Sequence, residues 1–321
     1  MIALPPIHFD RASGSLEGAN LWERAAALAL MAGSKISSQF SHRGYIGCAN
    51  LLRKTLPERN IAIKLNADAI FEFPYGDGYW SKLLDRSYRY EDELELLFRH
   101  SVDIDYTLLD CGANYGYWSV LVTSAPFRSH KAIAIEPSSQ NFSRLANNAR
   151  VNGTRFALMK CAIGAASGTA RLSGTKHEAF SIAGCADRGG EEVPVMALDD
   201  LIDQGKVSAG GKILIKLDVE GVEIDAIKGG TRLLQGDSLI VCEEHGNDPD
   251  HTVSRYILKQ TPLKLIVYDP RSNRLETVSE LSILDRIKVS SHVGYNVFGT
   301  ASAFWRQRID ALNANAARRM Q

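Results

Sequence analysis

Leu109-Asp110-Cys111-Gly112-Ala113-Asn114-Tyr115-Gly116 decides how the rest of the chain is read. It closes an apolar run, YTLLD from Tyr106, and opens a helical one, YWSVLVTS, through a loop bearing two glycines. Around it the chain alternates. KAIAIE (131–136) reads as a second strand, and SSQNFSRLANNARVNG (138–153) as a helix stopped at Gly153. RFALMKC (155–161) reads as a third strand and ILIKLD (213–218) as a fourth. VEIDAIKGG (222–230) is a helix ending in two glycines, and SLIVCEE (238–244) a fifth strand. KLIVYD (264–269) and GYNVFGT (294–300) are late strands. Strands separated by helices predict an α/β fold: a mostly parallel sheet with helices on both faces.

In such sheets ligands bind outside the carboxyl ends of the strands, and glycines there let a ligand approach the backbone. A dinucleotide or an S-adenosyl cofactor fits Gly112 and Gly116 equally. Two residues separate them. The dinucleotide fingerprint needs a second glycine two places after the first, so that a pyrophosphate can touch the backbone; here Asn114 stands there. Asp110, beside the loop, would repel a pyrophosphate and favour a cofactor with an ammonium and a sulfonium. At ~4 Å and an effective dielectric of about 20 such a pair amounts to roughly 4 kcal/mol before desolvation. Glu136, ending the second strand, suits two adjacent ribose hydroxyls; a helix-start carboxylate before Pro137 is the plainer alternative. Cys161-Ala162, after the third strand, falls near the adenine end by topology, where packing alone would explain it equally well.

ILIKLDVEGVE (213–223) is the second informative stretch. Alternation along a strand puts Lys216, Asp218 and Glu220 on one side, at the end where a reacting group should lie. Unpaired buried acids are costly, so Lys216 and a cationic ligand are the expected partners. VCEEH (241–245) brings Glu243, Glu244 and His245 to the same edge. His245 is the first candidate for a general base, Asp218 or Glu220 the second. Asp218, Glu220, Glu243 and His245 could instead hold a divalent cation, although no metal is the expectation.

These pieces, in order over about residues 90–245 (LLDCGANYGYWSV, AIEPSSQNFSRLANN, VPVMALDDL, ILIKLDVEGVEIDAIKGG and IVCEEH), resemble the FkbM-type family of S-adenosylmethionine-dependent methyltransferases. The resemblance implies a Rossmann-like class I methyltransferase fold with a seven-stranded sheet, S-adenosyl-L-methionine as cofactor, and O-methylation of a hydroxyl on a sugar, glycan or secondary metabolite. In that reading Asp110, Gly112, Asn114, Gly116, Glu136, Cys161, Ala162 and Asp218 hold the cofactor. The acceptor oxygen attacks the methyl carbon opposite the sulfonium while a base removes its proton. A nicotinamide oxidoreductase and an inactive cofactor-binding regulator are the competing readings.

Outside that core the chain divides into an accessory region, 1–88, expected to be mostly helical, a methyltransferase domain, 89–300, and a basic C-terminal helix, 301–321. Asn20–Gly33 and Tyr45–Leu56 read as helices, and IAIKL and AIFEF as short strands. Residues 167–192 read as a strand or two with inserted loops. The 321 residues carry 37 Lys plus Arg against 37 Asp plus Glu, so no global field draws nucleic acid or an anionic membrane. Arg306, Arg308, Arg318 and Arg319 form at most a local patch, most simply a solvated helix face. The five cysteines, Cys48, Cys111, Cys161, Cys185 and Cys242, lack metal-ligand spacing, as free thiols of a reducing cytoplasm would. The N-terminus has no secretory pattern, and AAALALMAG is too short to span a bilayer. The partner expected is a small-molecule or glycan acceptor; oligomeric state is not legible.

Overall fold

β1 (Ile7–Asp10), β2 (Leu16–Glu17), β3 (Asn60–Asn66) and β4 (Ala69–Pro74) form a small sheet in the order β2-β1-β3-β4 in the computed structural model, which describes residues 4–173, 181–182, 190–288 and 293–319. The helix Leu21–Ser37 packs beside it. It starts at a capping box in which Asn20 and Glu23 each bond the other's backbone N–H. Glu23 is fully buried and is answered by Arg59 at 3.3 Å. The N-terminal region thus combines two helices, Leu21–Ser37 and Tyr45–Arg53, with a sheet. Its β3–β4 hairpin was legible; β1 and β2 are too short to show a period.

The main sheet takes β5 (Tyr106–Cys111), β6 (Lys131–Ile135) and β7 (Ala157–Met159) from the first half of the chain. A separate sheet of order β10-β9-β11-β8 follows, made of β8 (Ala162–Gly164), β9 (Gly168–Ser173), β10 (Ser181–Ile182) and β11 (Glu191–Ala197); β9 and β10 fall within the stretch 167–192 read as an insertion, of which 174–180 and 183–189 lie outside the described residues. The main sheet then resumes with β12 (Lys212–Leu217), β13 (Ser238–Glu244), β14 (Lys264–Asp269), β15 (Arg274–Thr277) and β16 (Tyr295–Thr300). Its order is β15-β14-β16-β13-β12-β5-β6-β7. β5, β6, β7, β12 and β13 run parallel, and β16 inserts antiparallel between β13 and β14. This is the Rossmann-like class I arrangement expected, with one correction: among the described residues the sheet has eight strands, not seven. The added β15 pairs with β14 as an edge hairpin, and its sequence, RLET, is too short and polar to announce a strand.

Alternation sorts the sheet's two faces. Leu109, Cys111, Ile213, Ile215, Leu217 and Cys242 face one core, while Leu108, Leu214, Leu239, Val241 and Phe298 face the other. Asp110, Lys216, Glu243 and Asn296 share the parity of the second set, with Lys216 opposite Asp110 and Glu243 opposite Asn296. That second core is continuous with the N-terminal region: it includes Ile7, Phe71, Phe73 and Trp80 as well as Trp305 and Ile309. Two asparagines of the helix Ser139–Val151 and its cap make the join specific. Asn148 exchanges hydrogen bonds with Glu72 N–H and C=O at 2.7 and 3.0 Å, and Asn152 with those of Ile70 at 3.0 and 2.6 Å. The free edge of β4 is thereby satisfied by side chains rather than by another strand.

The C-terminal helix, Ala303–Arg319, buries Trp305, Ile309 and Leu312. Arg308 is not simply solvated; it donates to His100 C=O at 2.7 Å and pairs with Asp103. Cys48, Cys111, Cys161 and Cys242 are free thiols, and Cys185 lies outside the described residues. Among the described residues no helix is long and apolar enough to cross a membrane.

Candidate active site

The strand order reverses between β5 and β12, and the glycine turn sits at the carboxyl end of that junction, where open α/β sheets place ligands. Gly112 has φ +75°, and its N–H and that of Ala113 both donate to Ile135 C=O, at 2.9 and 3.0 Å. The turn therefore folds over the end of β6. Asp218 N–H reaches Cys111 C=O at 3.1 Å, pinning β12 to the same turn. Gly116, at φ +86°, starts the helix Tyr117–Val122, and a Cβ there would meet Leu145 at 2.4 Å.

Glu136 lies just past β6 with both carboxylate oxygens engaged. Oε2 accepts Asn114 N–H at 2.9 Å, and Oε1 accepts Ser138 N–H at 3.0 Å and Asn141 Nδ2 at 3.4 Å. Each oxygen keeps lone pairs for a hydroxyl donor. Burial pushes its pKa up to about 7, while the Ser138 and Asn114 amides pull it back down. Asn114, at φ +51°, turns its side-chain carbonyl to Tyr115 N–H (2.8 Å) and Trp80 Nε1 (3.2 Å).

The other end of the pocket is acidic. Lys216, 4% exposed, donates to Asp218 at 2.7 Å and lies 4.0 Å from Glu91. Glu91 takes φ +49° and accepts Trp118 Nε1 and Asn296 Nδ2. Burial raises it to about 7, opposed by Lys216 and reinforced by Asp218. Glu243 is raised by burial, then by Asp218 and Glu91, to about 9. Glu220, at φ +51°, is raised by burial and by Asp218 to about 7, with His245 pulling the other way. Burial thus keeps part of this carboxylate cluster protonated around one buried lysine, and a cation brought beside it would favour the ionised forms.

Gly112, Asn114, Glu136, Cys161, Ala162, Asp218 and Glu220 all line one pocket, of roughly 700 Å³ counting its open mouth. Ligand pockets are typically about 300–1,000 Å³. Three predicted residues stand apart: Gly116, which starts the helix Tyr117–Val122 behind the turn, Asp110 and His245. Asp110 is under the pocket, not in its wall: its carboxylate accepts Ser119 N–H at 3.2 Å and Oγ at 2.7 Å. Burial raises its pKa against the pull of Lys216. His245 does not line the pocket either; it acts on Glu220 and Glu223 through its charge. Glu244 turns away to Ser254, with bonds of 2.8 and 2.6 Å. Among the described residues no group of three or more His, Cys, Asp or Glu could hold a metal ion.

Tyr79, Trp80 and Tyr90 form the wall that the sequence did not announce. Tyr79 Oη and Tyr90 Oη are 3.2 Å apart, and Trp80 stacks on Tyr117 with centroids 5.7 Å apart. Burial, followed by Glu91, raises both tyrosines far above their ordinary range. The composition of segment 73–92, FPYGDGYW then YRYED, was the available signal: aromatics crowded beside glycine.

The sheet and its glycine turn define a class I methyltransferase fold. Residues 110–261 match the methyltransferase FkbM domain, the same stretch that carries the FkbM-type sequence motifs. It is 30% identical over 168 residues to the hexuronic acid methyltransferase AglP of Haloferax volcanii, a match covering 51% of this chain and 66% of that one. Among solved structures it is similar to the FkbM methyltransferase of Methylobacillus flagellatus (17% identity, TM-score 0.39, covering 61% of this chain and 43% of that one). It is also similar to a SAM-dependent O-methyltransferase of Thermotoga maritima (13% identity, TM-score 0.34, 66% of each chain). The chain thus spans somewhat under two thirds of the curated relative and under half of the first of these structures.

Proposed function

We propose that this chain is an S-adenosylmethionine-dependent methyltransferase acting on a hydroxyl of a sugar acceptor. The carrying observation is the pocket's polarity from end to end. Glu136 offers a buried carboxylate to a diol at one end, and Asp218 and Glu220 offer carboxylates to a cationic group at the other. The backbone turn at Gly112 lies between them.

The residues fit the cofactor. Glu136 would take the two ribose hydroxyls, and Pro137, Ile163 and Leu172 give the adenine an apolar seat beside Cys161 and Ala162. Asp218 would face the positive end. Bound there, the sulfonium supplies an electrophilic methyl carbon. Asn114 disfavours a nicotinamide dinucleotide, because its side chain is locked by Trp80 and Tyr115 where a pyrophosphate needs bare backbone. The FkbM domain match and the AglP match support a methyltransferase over a non-catalytic binder, and AglP's hexuronic acid supports a sugar acceptor.

Of the three candidate bases, Asp218 is tied to Lys216 and His245 is outside the pocket wall. Glu220 lines the pocket and titrates near 7, where a base is best matched to neutral pH. Glu220 would take the acceptor's proton, and His245 would tune it. Titrating the protein with S-adenosylhomocysteine and with NAD tests the cofactor reading. Micromolar binding of the first alone supports it; binding of NAD alone would end it. Labelled S-adenosylmethionine offered with uronic acid glycans then tests the acceptor.

A further inference from the structure

A second cavity, about 500 Å³ counting its mouth, shares Tyr90 with the first. It lies at the seam between the N-terminal region and the main sheet, and its charge is opposite. Arg11, Arg89 and Arg99 line it, with Asn66 and Tyr117. Among the described residues the one lining carboxylate, Glu95, is already paired with Arg99 at 2.6 Å. Arg11 donates to the carbonyls of Leu83 and Tyr88 at 2.7 Å each and of Arg86 at 3.4 Å. Among the described residues no carboxylate lies within ion-pair distance of it, and burial pushes its pKa down. Arg89 is exposed, and its side chain makes no hydrogen bond or ion pair with the described residues. A half-buried guanidinium without a counter-charge is unfavourable. Beside it stands a second guanidinium whose planar fork is free to take two oxygens at once.

We propose that this cavity is an oxyanion-binding site that holds a carboxylate or phosphate carried by the sugar acceptor. The methyl-transfer pocket disfavours such a group, because the Asp218 and Glu220 carboxylates in its wall would repel it. The arginine cavity can, one tyrosine ring away, so the two cavities sort the acceptor's hydroxyl from its anionic group. The inference rests on the proposed function for the ligand's identity as acceptor, not for the existence of the site.

The full chain is titrated at constant low ionic strength with glucuronate, glucose 1-phosphate and inorganic phosphate, and separately with S-adenosylhomocysteine. The same titrations use Arg89→Ala, which removes an exposed side chain and leaves the carbonyl-bound Arg11 in place. At least one sugar anion should saturate, and R89A should weaken it about tenfold or more, as expected for losing a charge-assisted hydrogen bond. S-adenosylhomocysteine affinity should stay within about twofold. Preference for glucuronate or for glucose 1-phosphate tells carboxylate from phosphate. Saturation by inorganic phosphate with neither sugar binding overturns the assignment to an acceptor. No saturation at all, or equal affinity in R89A, overturns the site. Anion binding without S-adenosylhomocysteine binding would instead sink the cofactor reading and leave the site standing.

Discussion

The carbonyl oxygen of Asp218 occupies the space that a side chain on residue 112 would need: a Cβ there would lie 1.8 Å from it. With φ +75° as well, Gly112 is barred from carrying a side chain both by its own backbone and by its neighbour's. The clash is with main chain that is itself bonded to Cys111, so neither partner can yield cheaply. Gly112→Ala should lose about 2–4 kcal/mol of stability, the sum of an overpacked contact and a left-handed alanine, and bind S-adenosylhomocysteine at least tenfold more weakly. Gly153→Ala is the matched control. It has φ +71° but nothing within 4 Å, so it should cost only about 1 kcal/mol and leave binding intact. Urea melts and calorimetry read both; equal losses in the two variants would refute the steric account.

Raised carboxylates give the pocket a definite pH behaviour. Glu91, Glu136 and Glu220 move from 4.5 to about 7 and Glu243 to about 9, so the folded state holds protons that the unfolded state releases near 4.5. Their contribution to stability is fully present below about pH 4.5 and is lost as pH rises through 7 and on towards 9. A cationic ligand favours the ionised forms. Its binding should therefore release protons at pH 7, and its affinity should rise from pH 6 to 8. Calorimetry in buffers of unlike ionisation enthalpy measures that release directly, and Glu136→Gln should reduce it. An enthalpy independent of buffer would contradict the assignment.

Much of this site could be read from the chain because it is local. The turn at 109–116, Glu136 at the end of KAIAIE and the acids after ILIKL each sit where one strand ends, and strand ends are marked by a change of period. What escaped is non-local. Glu91 meets Lys216 only because the helix Asp92–His100 packs over the β5–β12 face, and no periodicity joins positions so far apart. Asp110 was placed in the pocket by its neighbours in sequence. Strand parity instead turns it, with Lys216, into the face covered by Ser119. Glu220 was assigned by the same alternation, but the strand ends at Leu217 and left-handed backbone at Glu220 and Gly221 re-aims the chain. The aromatic wall gave no periodic signal because its residues lie on a loop and a short 3-10 turn.

Lys216 holds the acidic end together. It faces Asp218, Glu91 and Asp110, all of which raise its pKa against the pull of burial. Lys216→Met would leave those carboxylates without their cation. Breaking a buried pair from one side costs about 3–5 kcal/mol, so the variant should lose roughly that in a urea melt at pH 7. It should regain part of the loss at pH 5, where the acids can protonate. Adding Asp218→Asn to K216M should also recover part, because one unpaired charge is removed. A loss that neither acid nor D218N relieves would show that Lys216 acts by packing its stem rather than by its charge.

The assignment of the base turns on the difference between Glu220 and His245. Glu220→Gln keeps the shape and removes the proton acceptor, so kcat should fall by about 10²–10⁴ and the rise of rate through pH 7 should vanish. His245 lowers the Glu220 pKa, so His245→Ala should let it climb. The rising limb of the pH–rate profile then moves to higher pH, and the rate above pH 8 stays within a few-fold of the parent. A tuning residue and a base are separated by that shape, since loss of the base depresses the profile at every pH while loss of the tuner slides it. If H245A loses as much as E220Q across the whole range, His245 takes the proton itself, and Glu220 is the group that positions it.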